Sequence, residues 1–441
     1  MPQMLIRNCD VLSFQGEQAA FLLHHDIWIE SNRIKAILPT GGSQITSDVE
    51  QIDADGMLAI PGMINTHAHV PMVLFRGAAE DVPLTQWFND YIFPMESNLT
   101  PEDVYWGALL GIAEMIEAGV TYVADHYFFM DEVAQAVKKG GIRANLAWAV
   151  FEHQGLDQLN QTAEFVSRWQ GKADGRIKTW LGPHSPYLCG PDFLQKCAQI
   201  AGDLDVGVHL HVAETQEQVD ASLAQYEKSP IQVLLDAGIL ERPAILAHCL
   251  YPTEEDLQII ADHPAGIGQA PKTYLRAGMG MGDIQRYLNY HIPLGLATDG
   301  AASSSTLDLF EQMRLMALMQ KHIAGDARAG NLETVIRIAF KGSAKVCHEP
   351  ELGELEPGQL ADIVLLRQDR AAGIPRLNLG ANLVYALGSA DVDTVICNGQ
   401  VLMHQRQHLM LDKEEIRREV EQRLERLVQR VPGKKIAIYP T

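Results

Sequence analysis

Between residues 59 and 354 the chain alternates strand-like and helix-like segments eight times, and that rhythm constrains its fold more than any other feature. The strand-like segments are "LAIPGMINTHAH", "VTYVAD", "IRANLAWAV", "IKTWLGPH", "VGVHLHV", "AILAHC", "AGIGQAP" and "IPLGLATD", ending near residues 66, 125, 150, 183, 211, 248, 269 and 299. Helix-like stretches such as "PEDVYWGALLGIAEMIEAG" and "TEEDLQIIADH" lie between most of them. Such alternation builds parallel βαβ units, and eight of these predict a closed (β/α)8 TIM-like barrel, with an open doubly wound sheet as the alternative.

The two ends read differently. "MLIRNCDVLSF", "HHDIWIESNRIKAIL" and "TSDVEQIDADG" are short alternating strands with turn residues between them. The same texture returns in "LADIVLLRQD" and "VDTVICNGQVLMHQRQ", where Asn398–Gly399 favours a tight hairpin turn. Neither end alone has enough strands to bury a core. Residues 1–58 plus 355–441 are therefore expected to form one composite β-sandwich domain with a C-terminal helix, beside a barrel of residues 59–354. In the last segment Ile416, Val420, Leu424, Leu427 and Val428 recur at helical spacing. That predicts a helix packed on the body, with a contact between copies in a homo-oligomer as the alternative.

Residues 70–100 are too long for an ordinary connection and rich in aromatic side chains, which points to a functional loop over the barrel mouth. The formal charge of −21, from 35 basic and 56 acidic residues, argues against a nucleic-acid partner and for a small-molecule substrate that is not a polyanion. No apolar run approaches the roughly 18–20 residues of a membrane span, so no membrane partner is expected. The first residues carry no export signal and the six cysteines are scattered without a CxxC pair, from which a reducing, cytoplasmic location is expected.

His67 and His69 are one residue apart on a strand, so they share a face. An isolated His-x-His is a weak signal. The weight comes from His184, His211, His248 and Asp299, each at the carboxyl end of a predicted strand, where barrel active sites are built. Three imidazoles and a carboxylate suit a borderline divalent ion such as zinc. Periodicity leaves His209 and His211 equivalent on their strand. His126, after "VTYVAD", is expected to be structural or to support a ligand. Glu214, three residues beyond His211, lies where it can stand above a metal.

These residues resemble the amidohydrolase superfamily, and within it the nucleobase and aminopurine deaminase branch with its chlorohydrolase relatives. "PGMINTHAHV", "LGPHSPYLC", "HLHVAET", "LAHC" and "ATDGAASSSTLDLFEQM" follow in the order of that branch, and "LEPGQLADIVLL" with "VDTVICNGQVL" resembles its composite β domain. The resemblance implies that His67, His69, His211 and Asp299 bind one divalent metal, most simply zinc, and thereby selects His211 over His209. It implies that Glu214, His248 and Asp299 are catalytic and that His184 contacts substrate. Dinuclear members carry a carboxylated lysine at the end of the fourth strand; here "GPHSP" stands there, so a mononuclear site is implied. "TQWFNDYIFPMES", "GPHSPYLC" and "TDGAASS" are most similar to enzymes deaminating S-adenosylhomocysteine, methylthioadenosine and adenosine. In those, the position of Glu96 accepts from both ribose hydroxyls, and Trp87 would wall the pocket. The chain departs from the His-Cys-Pro and Ser-Asn pattern after the seventh strand, where "GQAPKTYLRAGMG" brings Gln269, Lys272 and Tyr274 to bear on the pocket. That departure keeps two alternatives in view: hydrolysis of a guanine, pterin or s-triazine, and a non-catalytic scaffold of the same fold.

Overall fold

The computed structural model describes residues 3–42 and 49–439. Strands β1 (Gln3–Gln15), β2 (Gln18–Glu30), β3 (Arg33–Pro39), β4 (Glu50–Asp53) and β5 (Met57–Pro61) open a first sheet. The second sheet holds β6 (Met63–His69), β7 (Val120–Tyr127), β8 (Arg143–Val150), β9 (Ile177–Pro183), β10 (Val208–Val212), β11 (Ala244–His248), β12 (Ala265–Gln269), β13 (Leu294–Leu296) and β14 (Asp299–Gly300). The chain then returns to the first sheet with β15 (Ile363–Arg367), β16 (Val392–Cys397), β17 (Gln400–His404) and β18 (Gln407–His408). The strand predicted in "TSDVEQIDADG" forms as β4; residues 46–48 of that segment lie outside the described residues.

The parallel sheet closes on itself through a broken eighth strand. β13 pairs with β12, and β14, two residues further along the chain, pairs with β6 by setting Asp299 beside Ala68. Side chains fasten the seam. Asn65 Nδ2 donates to Thr298 Oγ1 at 2.7 Å, Thr298 N donates to Asn65 Oδ1 at 3.0 Å, and Thr66 Oγ1 donates to the Leu296 carbonyl at 2.9 Å. These polar groups are buried and mutually satisfied, so they specify the register of closure. The architecture is the (β/α)8 barrel with a separate sheet drawn from both termini.

One predicted strand proves to be two. "LAIPGMINTHAH" reads as a continuous apolar strand, but Met57–Pro61 pairs antiparallel with β15 in the terminal sheet, whereas Met63–His69 begins the barrel. Gly62 is the joint. A Cβ there would lie 2.1 Å from Thr121 Oγ1, so only glycine lets the chain cross between the sheets. In the terminal sheet β1 carries a bulge between Ile6 and Cys9, with Asn8 at φ +56°, and pairs first with β4 and then with β5. The β16–β17 hairpin turns on Asn398 and Gly399, at φ +53° and +73°, as that dipeptide favours.

Among the polar contacts that tie the terminal elements to the barrel are those of Arg143 and Arg426. Arg143 Nε, on β8, donates to both carboxylate oxygens of Asp362 at 3.2 and 3.0 Å, and its Nη2 donates to Asn398 Oδ1 at 2.7 Å. The helix Lys413–Leu427 lies on the barrel helix Pro101–Glu117, where Arg426 Nη2 donates to both oxygens of Asp103 at 2.6 Å. Asp103 also accepts from Thr100 N at 2.7 Å, so one buried carboxylate caps its own helix and anchors another. Ile416, Val420 and Leu427 are buried in this contact and Leu424 packs against it, but Val428 is exposed. Among the described residues no helix is long and apolar enough to cross a membrane.

Candidate active site

The carboxyl ends of the barrel strands deliver the predicted side chains to one place. His67 and His69 come from β6, His211 from β10, His248 from the end of β11, and Asp299 from β14. His248 and Asp299 adopt left-handed backbone, with φ +70° and +60°. For residues other than glycine that conformation costs on the order of 1–3 kcal/mol, and it persists where the surroundings dictate where the side chain points.

Each imidazole is oriented by its other nitrogen. His67 Nδ1 lies 2.8 Å from His209 Nε2, His69 Nδ1 donates to the His126 carbonyl at 2.5 Å, and His211 Nδ1 donates to the His184 carbonyl at 2.9 Å. The Nε2 atoms of His69 and His211 are thereby left as acceptors. His69 Nε2 lies 3.2 Å from His211 Nε2 and 3.2 Å from Asp299 Oδ1, and His67 Nε2 lies 3.5 Å from the same oxygen. The ligand atoms of His67, His69 and His211 fall within 4.8 Å of one another, as do those of His67, His248 and Asp299.

This arrangement fits a divalent cation. His67 Nε2 is buried without a hydrogen-bond partner, a cost that a cation removes. Bonds of about 2.0–2.1 Å to a tetrahedral ion set its ligand atoms about 3.3 Å apart, close to the spacings found here. The electrostatics agree. Burial would raise Asp299, but the adjacent imidazoles of His67 and His69 outweigh it and hold the carboxyl well below its usual range. Burial opposes charge on His69, yet Asp299 draws the imidazole up to about 9, whereas burial takes His67 down to about 3. Converging lone pairs demand one positive charge at this point.

His209 is not part of the convergence. It stands beneath His67 and holds it, so the geometry separates two histidines that strand periodicity treats alike. His126 lends its carbonyl to His69, and its ring Nε2 donates to the Gly182 carbonyl at 3.1 Å, a supporting place as expected.

Above the imidazoles lies a cavity whose wall includes Trp87, Glu96, His184, Glu214, His248 and Asp299. The predicted loop 70–100 covers the mouth, but as short helical turns over Val70–Phe75 and Leu84–Glu96. Glu96 ends the second of these and accepts from Tyr127 Oη at 2.7 Å. Burial pushes its carboxyl up to about 7, opposed by the tyrosine hydrogen bond and by His69. Glu214 is buried with Oε1 3.7 Å from His248 Nε2; burial raises its pKa and His248 opposes the rise. His184 stacks between Phe151 and His211, at 4.9 and 4.5 Å. Burial, aided by the charges of neighbouring histidines, lowers it to about 3 and keeps it neutral.

The "QAPKTY" segment does not line the cavity with the side chains expected of it. Lys272 turns away to Glu311, 2.6 Å from its Oε2. Gln269 Nε2 donates to the His248 carbonyl at 2.5 Å. Tyr274 Oη accepts from Ala270 N at 2.8 Å and lies 3.3 Å from His248 Nδ1. Both act from below on His248. The residue that reaches the cavity is Thr273, whose Oγ1 donates to Asp299 Oδ2 at 3.1 Å, joined by Ser303 Oγ at 2.5 Å. Sequence reasoning missed Thr273, Ser303 and Tyr127. Ser303 follows Asp299 by one helical turn inside a quoted motif, the only signal that favoured it.

A barrel with imidazoles and a carboxylate converging on a cation position at its carboxyl rim defines a metal-dependent hydrolase. The chain belongs to the amidohydrolase family, whose model matches residues 58–402. It is 40% identical over 434 residues, 97% of this chain and 100% of the relative, to a 5-methylthioadenosine/S-adenosylhomocysteine deaminase of Desulforudis audaxviator. Among solved structures, an adenosine deaminase of Xanthomonas campestris with bound zinc superposes with a TM-score of 0.92 at 28% identity, covering 97% of this chain and 98% of that one. An atrazine chlorohydrolase of Arthrobacter aurescens TC1 complexed with zinc superposes with a TM-score of 0.86 at 25% identity, covering 96% and 100%.

Proposed function

We propose that this protein is a metal-dependent hydrolytic deaminase of adenine-type nucleosides, converting S-adenosylhomocysteine, 5′-methylthioadenosine or adenosine to the inosine analogue and ammonia. One observation carries the reading to nucleosides: Glu96, held by Tyr127, stands in the same cavity as the converging imidazoles. A carboxylate in that wall accepts from a vicinal diol, which a ribose has and a free base or triazine lacks. The similarity to deaminases of adenine nucleosides supports it.

In this reading His67, His69, His211 and Asp299 hold one ion, taken as zinc because the donor set suits it and the similar structures contain it. When bound, such an ion lowers the pKa of a coordinated water from about 15.7 to about 7. Asp299 accepts the proton of the attacking water, its free oxygen held in place by Thr273 and Ser303. His248, fixed from below by Gln269 and Tyr274, orients the attacking oxygen. Glu214, whose pKa burial raises, is the general acid of this reading and gives a proton to the ring nitrogen as the carbon–oxygen bond forms. The carbon–nitrogen bond then breaks, ammonia leaves with the proton that Asp299 held, and the new hydroxyl returns its proton to Glu214 as it becomes the carbonyl. Neutral His184 faces the ring, and Trp87 with Glu96 holds the sugar.

The same reading divides the chain into a barrel unit, expected at 59–354, and a unit of both termini, expected at 1–58 plus 355–441; the sheet that the termini share supports the division and carries its first boundary to Gly62. It places the protein in the cytoplasm, supported by six unpaired buried cysteines.

The testing experiment is a screen for ammonia release by metal-replete protein. Adenine nucleosides are set against guanine, a pterin and amino- and chloro-triazines. Release from the nucleosides alone is expected. Release from a free base or triazine alone, unaffected by Glu96→Ala, would transfer the site to the chemistry of the chlorohydrolase relative.

A further inference from the structure

We propose that Tyr439 is a positioning residue for Glu214, acting through Gln218, and that the segment Ile436–Tyr439 fastens the cavity wall that carries Trp87. The kinetic part of this proposal rests on the deaminase reading above.

Glu214 sits in the short turn after β10, following Ala213 at φ +46° and preceding the helix Gln216–Tyr226. The group that fixes it is Gln218, in the first turn of that helix. Its Oε1 accepts from Glu214 N at 3.0 Å and Thr215 N at 3.4 Å. Two backbone donors on one oxygen settle which end of the amide is which. Its Nε2 must then donate, and it lies 3.5 Å from Glu214 Oε2 and 2.7 Å from Tyr439 Oη. The tyrosine hydroxyl, 221 residues away in sequence, thus holds the far end of the amide that carries both the backbone and the carboxylate of Glu214.

Tyr439 is itself held on every side. It is buried, and its ring stacks on Phe88 at 4.6 Å with an interplanar angle of 6°, while Phe88 packs edge-on against Trp87 at 4.8 Å. Its backbone pairs with the Asn89 side chain in both directions, Asn89 Nδ2 donating to the Tyr439 carbonyl at 3.0 Å and Tyr439 N to Asn89 Oδ1 at 2.9 Å. Ile436 N donates to the Phe93 carbonyl at 3.2 Å. One segment therefore bridges the sugar-side wall and the turn that carries Glu214, and Tyr439 is the residue that touches both.

The test separates the hydroxyl from the ring. Tyr439→Phe keeps the stacking and the Asn89 pair and removes the hydroxyl that faces Gln218 and Thr215. With an adenine nucleoside, kcat is expected to fall about tenfold, with KM within about twofold and Tm nearly unchanged. Gln218→Ala is expected to lower kcat by at least as much, and the double variant to be no worse than Gln218→Ala alone, because both act along one path. Independently of activity, hydrogen exchange of metal-loaded protein is expected to quicken at the amides of Glu214 and Thr215 in Tyr439→Phe, and to stay unchanged over residues 84–98. An unchanged kcat in Tyr439→Phe, losses that multiply in the double variant, or unaltered exchange at Glu214 and Thr215 would overturn the proposal. Should the wild type deaminate no nucleoside, the functional reading fails, and the exchange measurement still decides the role of Tyr439.

Discussion

Tyr127 Oη donates to Glu96 Oε1 at 2.7 Å, and both side chains are buried in the wall of the cavity that opens on the converging imidazoles. A carboxylate set there has one tyrosine donor and remaining lone pairs facing the cavity. Replacing Glu96 by alanine is expected to lower kcat/KM for adenine nucleosides by at least about a hundredfold, the cost of leaving hydroxyls unpaired in a closed site. Steady-state kinetics checks this. A loss below threefold would remove Glu96 from substrate recognition.

Burial of Glu96 also makes stability depend on pH. Its pKa stands at about 7 in the folded protein against 4.5 for an unperturbed glutamate, so the folded state binds the extra proton between those values. Stability is therefore highest below pH 4.5 for this group and declines as pH rises to about 7. The difference amounts to on the order of 3 kcal/mol above pH 8. Glu96→Gln, which still accepts from Tyr127, is expected to flatten that slope. Thermal unfolding at pH 5 and pH 8, with metal content held constant, measures it.

Glu214→Gln is expected to lower kcat by at least about a thousandfold while leaving metal content near wild type, because an amide cannot deliver the proton but keeps the shape. Metal analysis beside the kinetics separates the two roles. Loss of the metal in this variant would make Glu214 a ligand.

Tyr274→Phe tests the support beneath His248. The hydroxyl touches both His248 Nδ1 and Ala270 N. Its loss is expected to lower kcat about tenfold with little change in KM or metal content. An effect on KM alone would show that Tyr274 shapes the pocket instead.

The strand-end histidines and Asp299 are legible in the sequence because a barrel collects polar residues at the carboxyl ends of its strands, leaving the rest of each strand apolar. Two features were not legible, for different reasons. His209 and His211 have the same phase on β10, and only the depth of each ring within the barrel separates them: His209 lies under His67, His211 beside His69. "LAIPGMI" is uniformly apolar although it crosses between two sheets, because both ends of the crossing are buried and Gly62 alone marks it. Tyr127, Thr273 and Tyr439 gain their places only from tertiary proximity, which carries no local periodicity. The predicted influence of Lys272 on the pocket failed for a similar reason, since Glu311 on a later helix claims its charge.

The most direct measurement is anomalous diffraction from a crystal of the metal-loaded protein, collected at the zinc absorption edge. A single peak is expected within about 2.0–2.2 Å of His67 Nε2, His69 Nε2, His211 Nε2 and a carboxylate oxygen of Asp299. A peak ligated by His209 in place of His211, two peaks, or no peak in protein that releases ammonia from an adenine nucleoside would contradict the account.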